Sequence, residues 1–156
     1  MITSRRDYLL RIIEEVSLAL ARVTTLRASR WELDALQSVV GACERLFGLE
    51  ADKLFQLTPA QHFGMLTENE PSELARERVL LYAALNQEAG LAYAALNSAA
   101  MARASFANAL RFTLLARIAY GEEDAPAFAP SVADLQESLK GEALDPDLQE
   151  LLRTPV

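Results

Sequence analysis

The sequence predicts an all-α protein, and three observations carry that expectation. Ala, Leu, Arg and Glu, all strong helix formers, dominate the 156-residue chain, while only six glycines and six prolines interrupt it. Apolar residues recur every three to four positions, and no strand-length window alternates apolar with polar. Helix-start signals also recur along the chain, each leading into an apolar stripe. Hydrophobic residues make up 51% of the chain, enough for one domain with a substantial core and no staples.

The first helix opens at Ser4, with Asp7 three residues on, and runs to about Thr25. Leu9, Ile12, Ile13, Val16, Leu20 and Val23 form its apolar stripe. Asp7 and Arg11 sit four apart, an ion-pair spacing worth roughly 0.3 kcal/mol. Ser29-x-x-Glu32 reads as a capping box opening a second helix that buries Leu36, Val39, Val40, Cys43, Leu46 and Phe47. Gly48 should stop it in a left-handed conformation, with Leu49 covering the end.

Thr58-Pro59-Ala60-Gln61 combines a cap, a first-turn proline and a capping-box glutamine, so a third helix should reach about Leu66. Asn69-Glu70-Pro71 starts a fourth, ending near Leu96. Asn97-Ser98 caps a fifth, which Gly121 ends. Residues 1–120 thus form a helical-hairpin domain. Residues 121–130 are an acidic, proline-bearing linker. Beyond it, Ser131-x-x-Asp134 and Asp145-Pro146-Asp147 open two short helices carrying Leu135 and Leu139, then Leu148, Leu151 and Leu152. Residues 121–156 are therefore expected to be a linker plus a short helical cap on the same domain, because a solvating tail needs neither leucines nor caps.

The net charge of −7 belongs to that C-terminal segment. Residues 1–120 carry thirteen basic and thirteen acidic side chains; residues 121–156 carry nine acids against Lys140 and Arg153. Such a balance disfavours nucleic-acid binding and an electrostatic membrane anchor. The Ala/Leu-rich stretch 79–102 is interrupted by Asn86, Gln87, Glu88 and Asn97, too polar to span a bilayer. Cys43 is the only cysteine, and the segment from Met1 to Arg6 leads into an amphipathic helix rather than an apolar signal core. A reducing, cytoplasmic setting is the simplest expectation.

Gly90, Tyr93, Asn97, Ala102, Phe106, Ala109 and Leu110 form the most informative pattern in the chain. Over about residues 83–116 it resembles a tetratricopeptide repeat, whose pattern is G-x-x-Y-x-x-x-[G/N] followed by A-x-x-x-F-x-x-A-L. Small Gly90 and Ala102 let two antiparallel helices approach, and Tyr93 and Phe106 fill the volume beside them. Asn86, Ala89 and Leu114 depart from the Trp, Leu and Pro usual there. Ala35, Val39 and Ala42 repeat the small-large-small spacing, but the first helix lacks the Gly and Tyr. The first hairpin reads equally as a degenerate repeat or a generic hairpin.

The chain is also similar to a group of small bacterial helical proteins over residues 7–116. Asp7-Tyr8-Leu9-Leu10-Arg11-Ile12-Ile13-Glu14, Phe47-Gly48-Leu49 and Leu57-Thr58-Pro59 carry that resemblance. It implies no activity. Together the resemblances imply stacked, tetratricopeptide-like antiparallel hairpins with a short helical cap.

Several chemistries lack their residues. One His and one Cys cannot build a zinc site, and glycines at 41, 48, 64, 90, 121 and 141 make no phosphate loop. No cofactor, metal or catalytic residue is expected. A Cys43–His62 pair is the residual catalytic idea, but a Cys on an apolar stripe is ordinarily core. Glu14, Glu15, Glu73 and Glu77 lack the Glu-x-x-His of helical di-metal sites. Arg5, Arg6, Arg11, Arg22, Arg27 and Arg30 are interrupted by acids and read as a solvated face.

The expected function is therefore a protein-interaction or scaffold module, not an enzyme. By the repeat resemblance its partner-binding face is Gln87, Leu91, Ala94 and Ala95, and its packing residues are Gly90, Tyr93, Ala102, Phe106 and Ala109. That face lacks the Lys and Asn of a carboxylate clamp, which implies an apolar contact. A short array leaves an end uncovered, so a protein partner or a homodimer is expected. The alternative is a small-molecule-binding or enzymatic helical protein with a pocket between hairpins, for which no convergent polar set is visible in the sequence.

Overall fold

The computed structural model describes residues 4–156, all helix and loop with no strand among them. Residues 1–3 of the expected N-terminal lead-in lie outside the described residues. The helices are α1 (Arg5–Ala28), α2 (Glu32–Phe47), α3 (Ala51–Leu54), α4 (Pro59–Thr67), α5 (Ser72–Ala95), α6 (Ala99–Tyr120), α7 (Val132–Ser138) and α8 (Pro146–Arg153).

α1 buries all six residues of its expected stripe. It ends differently from the capping-box reading. Ser29 is the C-cap of α1, and Arg30 takes a left-handed φ of 67°. The Arg30 N–H donates to the Arg27 carbonyl and the Trp31 N–H to the Leu26 carbonyl, closing α1 in a Schellman turn. α2 then starts after Trp31 without a side-chain cap. The same device recurs at Asn97, φ 61°, where the Asn97 and Ser98 N–H groups donate back to Ala94 and Tyr93. Asn97 stops α5; Ser98 precedes α6 and makes no side-chain cap bond.

α2 ends at Gly48, which adopts φ 71° as expected. Ala35 and Ala42 are buried where the expected Val40 is exposed, because the inner face of α2 lies rotated toward its small residues. α3 is an element the sequence reading missed. Its first N–H, on Ala51, donates to Glu44 Oε2 at 2.8 Å, so its cap comes from seven residues back on α2. The Thr58–Gln61 capping box of α4 forms in both directions.

α1 and α2 form one hairpin, α5 and α6 a second, and α5 packs on both α1 and α2. Arg6 donates to Glu73 at 2.9 Å near the starts of α1 and α5, and Thr24 to Glu88 at 3.1 Å near their ends. α1 and α5 therefore run in the same direction. Arg5 and Arg27 add ion pairs to Glu70 and Glu88, so three arginines of the expected solvated face bind α1 to the rest of the chain.

The first core lies among α1, α2, α4 and α5, with Leu54 of α3 and Phe112 and Ala116 of α6 joining it. At its lower edge Arg78 is buried, yet charged. Its Nη2 donates to the Leu46 carbonyl in the last turn of α2 at 3.0 Å, and its Nη1 to the Leu66 carbonyl in the last turn of α4 at 3.3 Å. Both helix ends carry partial negative charge, which the guanidinium offsets. Glu70, with 1% of its side chain exposed, stands 3.8 Å away as counter-ion. Burial pulls the Arg78 pKa down and the Glu70 charge opposes that pull.

A second core forms on the other face of α6, from Ala102, Phe106, Ala109, Leu110 and Leu114 with Leu135, Leu139 and Leu148. α7 and α8 pack on α6. Burying those three leucines contributes roughly 1.5–3 kcal/mol each before ordering entropy is subtracted. At the centre of the hairpin, Gly90 receives the Phe106 ring. A Cβ at Gly90 would lie 2.6 Å from Cδ1 and Cε1 of that ring.

Two substitutions test these contacts. Arg78→Met leaves two helix-end carbonyls without a donor and Glu70 with Arg5 alone, and should lower stability by about 2–4 kcal/mol in urea unfolding. A loss under about 1 kcal/mol would show that the buried charge is dispensable. Gly90→Ala gains about 1 kcal/mol of helix propensity. It should nevertheless lower Tm, because overpacking against Phe106 costs about 1–3 kcal/mol. Adding Phe106→Leu should recover part of that loss; simple additivity of the two changes would refute the contact as its cause.

Candidate functional site

α2 and α6 both lie against α5 and leave a cleft of about 620 Å³ between them. The cleft exists because small residues face it: Ala89 on α5, and Ala104, Ser105 and Ala107 on α6. Leu36, Val39 and Val40 form one wall. Met101 stands on the opposite lip, and Phe55, Leu57 and Pro59 from the α3–α4 segment close one end. Val40, Phe55 and Met101 are exposed, so a row of large apolar side chains borders the opening.

The floor is polar and ordered in one direction. His62 Nε2 lies 2.7 Å from the Leu54 carbonyl, which can only accept, so Nε2 carries the proton. His62 Nδ1 is then the acceptor for the Tyr82 hydroxyl at 3.5 Å. Asn108 Nδ2 donates to the Tyr82 oxygen at 3.4 Å and to Asn86 Oδ1 at 3.0 Å; Asn86 Nδ2 donates to the Tyr82 carbonyl at 2.8 Å. Phe47 and Phe112 pack edge-on against Tyr82, with ring centroids 4.8 Å away in each case. Burial pushes the Tyr82 hydroxyl up to about 12, so it stays a protonated donor. Asn108 Oδ1 and Ser105 Oγ accept or donate nothing among the described residues and are free for a ligand.

Cys43 also borders the cleft, beneath Val39 and Val40. Burial first, and the Glu44 charge second, push its thiol up to about 12. The two nitrogens of His62 are engaged by Leu54 and Tyr82, which leaves no base for that thiol. The carboxylates considered as metal ligands are separated by their partners. Glu15 binds Arg45 at 2.5 Å, and that hydrogen bond holds its carboxyl below the usual range, while Glu73 binds Arg6. No cluster of three or more metal-ligating side chains occurs among the described residues.

The expected partner face lies elsewhere. Gln87 is half-buried, Leu91 packs into the second core beside the C-terminal leucines, and Ala94 and Ala95 are exposed. None of the four lines the cleft. Of the expected packing residues, Gly90, Ala102, Phe106 and Ala109 are buried, and Tyr93 bridges both cores while reaching the cleft. The sequence reading missed Tyr82, Asn86, Ser105, Asn108 and Arg111. A faint signal existed: Asn86 and Asn108 are poor helix formers inside two strongly helical segments, which asks for a reason.

No protein-family profile matches this chain, and the comparisons with curated proteins and with solved structures found no match. No helix among the described residues is long and apolar enough to cross a membrane.

The thiol supplies a test with a definite sign. Native Cys43 should react negligibly with a disulfide probe at pH 8, and stoichiometrically in denaturant. Its unfolded pKa lies near 9.0 and its folded value at about 12. The stabilisation from the buried thiol is therefore full below pH 9 and declines as pH rises toward 12. Fast native labelling at pH 8 would show an accessible, activated cysteine instead.

Proposed function

We propose that this chain is a binding protein of tetratricopeptide-like build that holds a small amphipathic molecule in the α2–α5–α6 cleft without transforming it. The observation that carries the reading is the convergence of apolar walls over a polar floor with unused hydrogen-bonding atoms at Ser105 and Asn108. Ligand sites have that composition and enclose about 300–1,000 Å³. The tetratricopeptide-like build is supported by the Phe106 ring against Gly90 and by α5 packing on both helices of the first hairpin. A non-catalytic role is supported by the protonated, buried Cys43 and the fully engaged His62.

A protein-interaction role remains the second reading, moved from the face first expected for it. Leu91 of that face is half-buried against the second core. Trp31 and Leu33, 60% and 72% exposed, instead meet Leu96 where the α1–α2 and α5–α6 turns come together. An uncovered array end of that kind suits a second copy or another protein.

A photoreactive amino acid at position 101, with position 118 as the exposed control, tests both readings in cells making the protein. A small mass increment on the intact chain from position 101 alone is the expected outcome. A protein-sized adduct would shift the cleft to the interaction reading, and the absence of any adduct specific to position 101 would overturn the proposal.

A further inference from the structure

Resting on the reading of the cleft as a ligand site, we propose that its ligand is a linear amphiphile with a carboxylate head, bound head-first on Arg111 with the tail toward Met101. Met101, Ser105, Asn108 and Arg111 succeed one another at helical spacing along the face of α6 that borders the cleft. Polarity rises in that order, from thioether to hydroxyl to amide to guanidinium. Ten residues of helix place the two ends about 15 Å apart. The far end is completed by Leu36, Ala89 and Tyr93, with no charged group among them. An extended chain of ten carbons, about 11 Å long at roughly 1.2 Å per bond, fits within that span with room for its head.

Among the described residues Arg111 is the one arginine or lysine that lines the cleft, and both ring nitrogens of His62 are engaged elsewhere, by the Leu54 carbonyl and the Tyr82 hydroxyl. The Arg111 side chain is only 15% exposed, yet it donates no hydrogen bond among the described residues. Its ionic partner there is Asp145 at 3.8 Å, which is itself 80% exposed. A pair at that distance, with one member in water, holds the guanidinium weakly. The guanidinium donors of Arg111, unbonded among the described residues, are thus available to an incoming anion. One guanidinium matches a carboxylate in bidentate geometry, whereas a dianionic phosphate would want a second cation that the cleft does not have. Asp145 marks the place of the head: it is the group a bound carboxylate displaces.

The test is isothermal titration of the full chain with decanoate and, as the uncharged match, 1-decanol, both below their aggregation limits. Decanoate should bind once per chain, and more tightly than decanol. Arg111→Gln should weaken decanoate by about tenfold or more and leave decanol unchanged. Asp145→Asn should tighten decanoate several-fold, because the competing carboxylate is gone. That variant is a benign change, since Asp145 is exposed and makes no cap hydrogen bond. Met101→Glu should weaken both ligands and so locate them in the cleft. Equal binding of decanoate and decanol, indifferent to Arg111→Gln and Asp145→Asn but lost in Met101→Glu, would overturn the headgroup assignment while sparing the cleft. No saturable binding of either ligand, or binding indifferent to Met101→Glu, would overturn both.

Discussion

Arg78 sits where three parts of the molecule must agree, and the geometry of the cleft follows from how it is satisfied. Taking a guanidinium out of water is costly unless its charge and donors are matched on arrival. Here its two terminal nitrogens are matched by carbonyls in the last turns of α2 and α4 and its charge by Glu70, none of them on α5, the helix that carries the arginine, while Nε is left without a partner. The ends of α2 and α4 are held to α5 by one planar group. Since α2 supplies a wall of the cleft and α4 supplies His62, that group also sets the closed end of the site. Glu70 is shared with Arg5, so the start of α1 is drawn into the same network.

Burial of apolar surface stabilises this arrangement from two sides. α5 is enclosed along most of its length, and its Ala-rich sequence allows α1, α2, α4 and α6 to approach it together. α6 has two working faces. One carries Phe106, Leu110 and Leu114 into the second core with the C-terminal leucines. The other carries Ser105, Asn108 and Arg111 along the cleft. The excess negative charge of the C-terminal segment stays on its outer side. Asp145 is turned back toward Arg111 of the cleft, Glu142 toward Arg103 and Glu122 toward Arg117.

The floor of the cleft shows how a mostly apolar helix bundle can hold polar groups without exposing them. Leu54, His62, Tyr82, Asn108 and Asn86 satisfy each other in a fixed donor order, packed under aromatic rings. Such chains of hydrogen bonds rigidify a site, because each proton position is set by its neighbour. What remains unmatched is on the surface of the cleft, at Ser105, the Asn108 carbonyl and Arg111. A rigid floor with a few free polar atoms suits recognition of a shape and a charge, which supports the binding role proposed for the cleft.

The local features of this fold were legible because their causes lie within a few residues. The apolar stripe of α1, the Thr58–Gln61 box, the Gly48 stop and the Ser131 cap are each decided by neighbours three or four positions away. Where a distant group intervened, the sequence reading erred: Glu44 caps α3 from another helix, and the Schellman turn at Arg30 took Ser29 from its expected role. The Gly90–Phe106 contact was half-visible, since the spacing marked both residues but not that the ring would lie on the glycine itself. The cleft was not visible at all. Its polar atoms come from α3, α4, α5 and α6, and no periodicity within one helix records that they converge. By itself the sequence determined the longer helices and most of their inner faces, through local hydrogen bonding and apolar spacing. Only the tertiary packing decided which polar side chains meet, because that depends on the rotation of each helix about its own axis once Arg78 and the two cores hold them together.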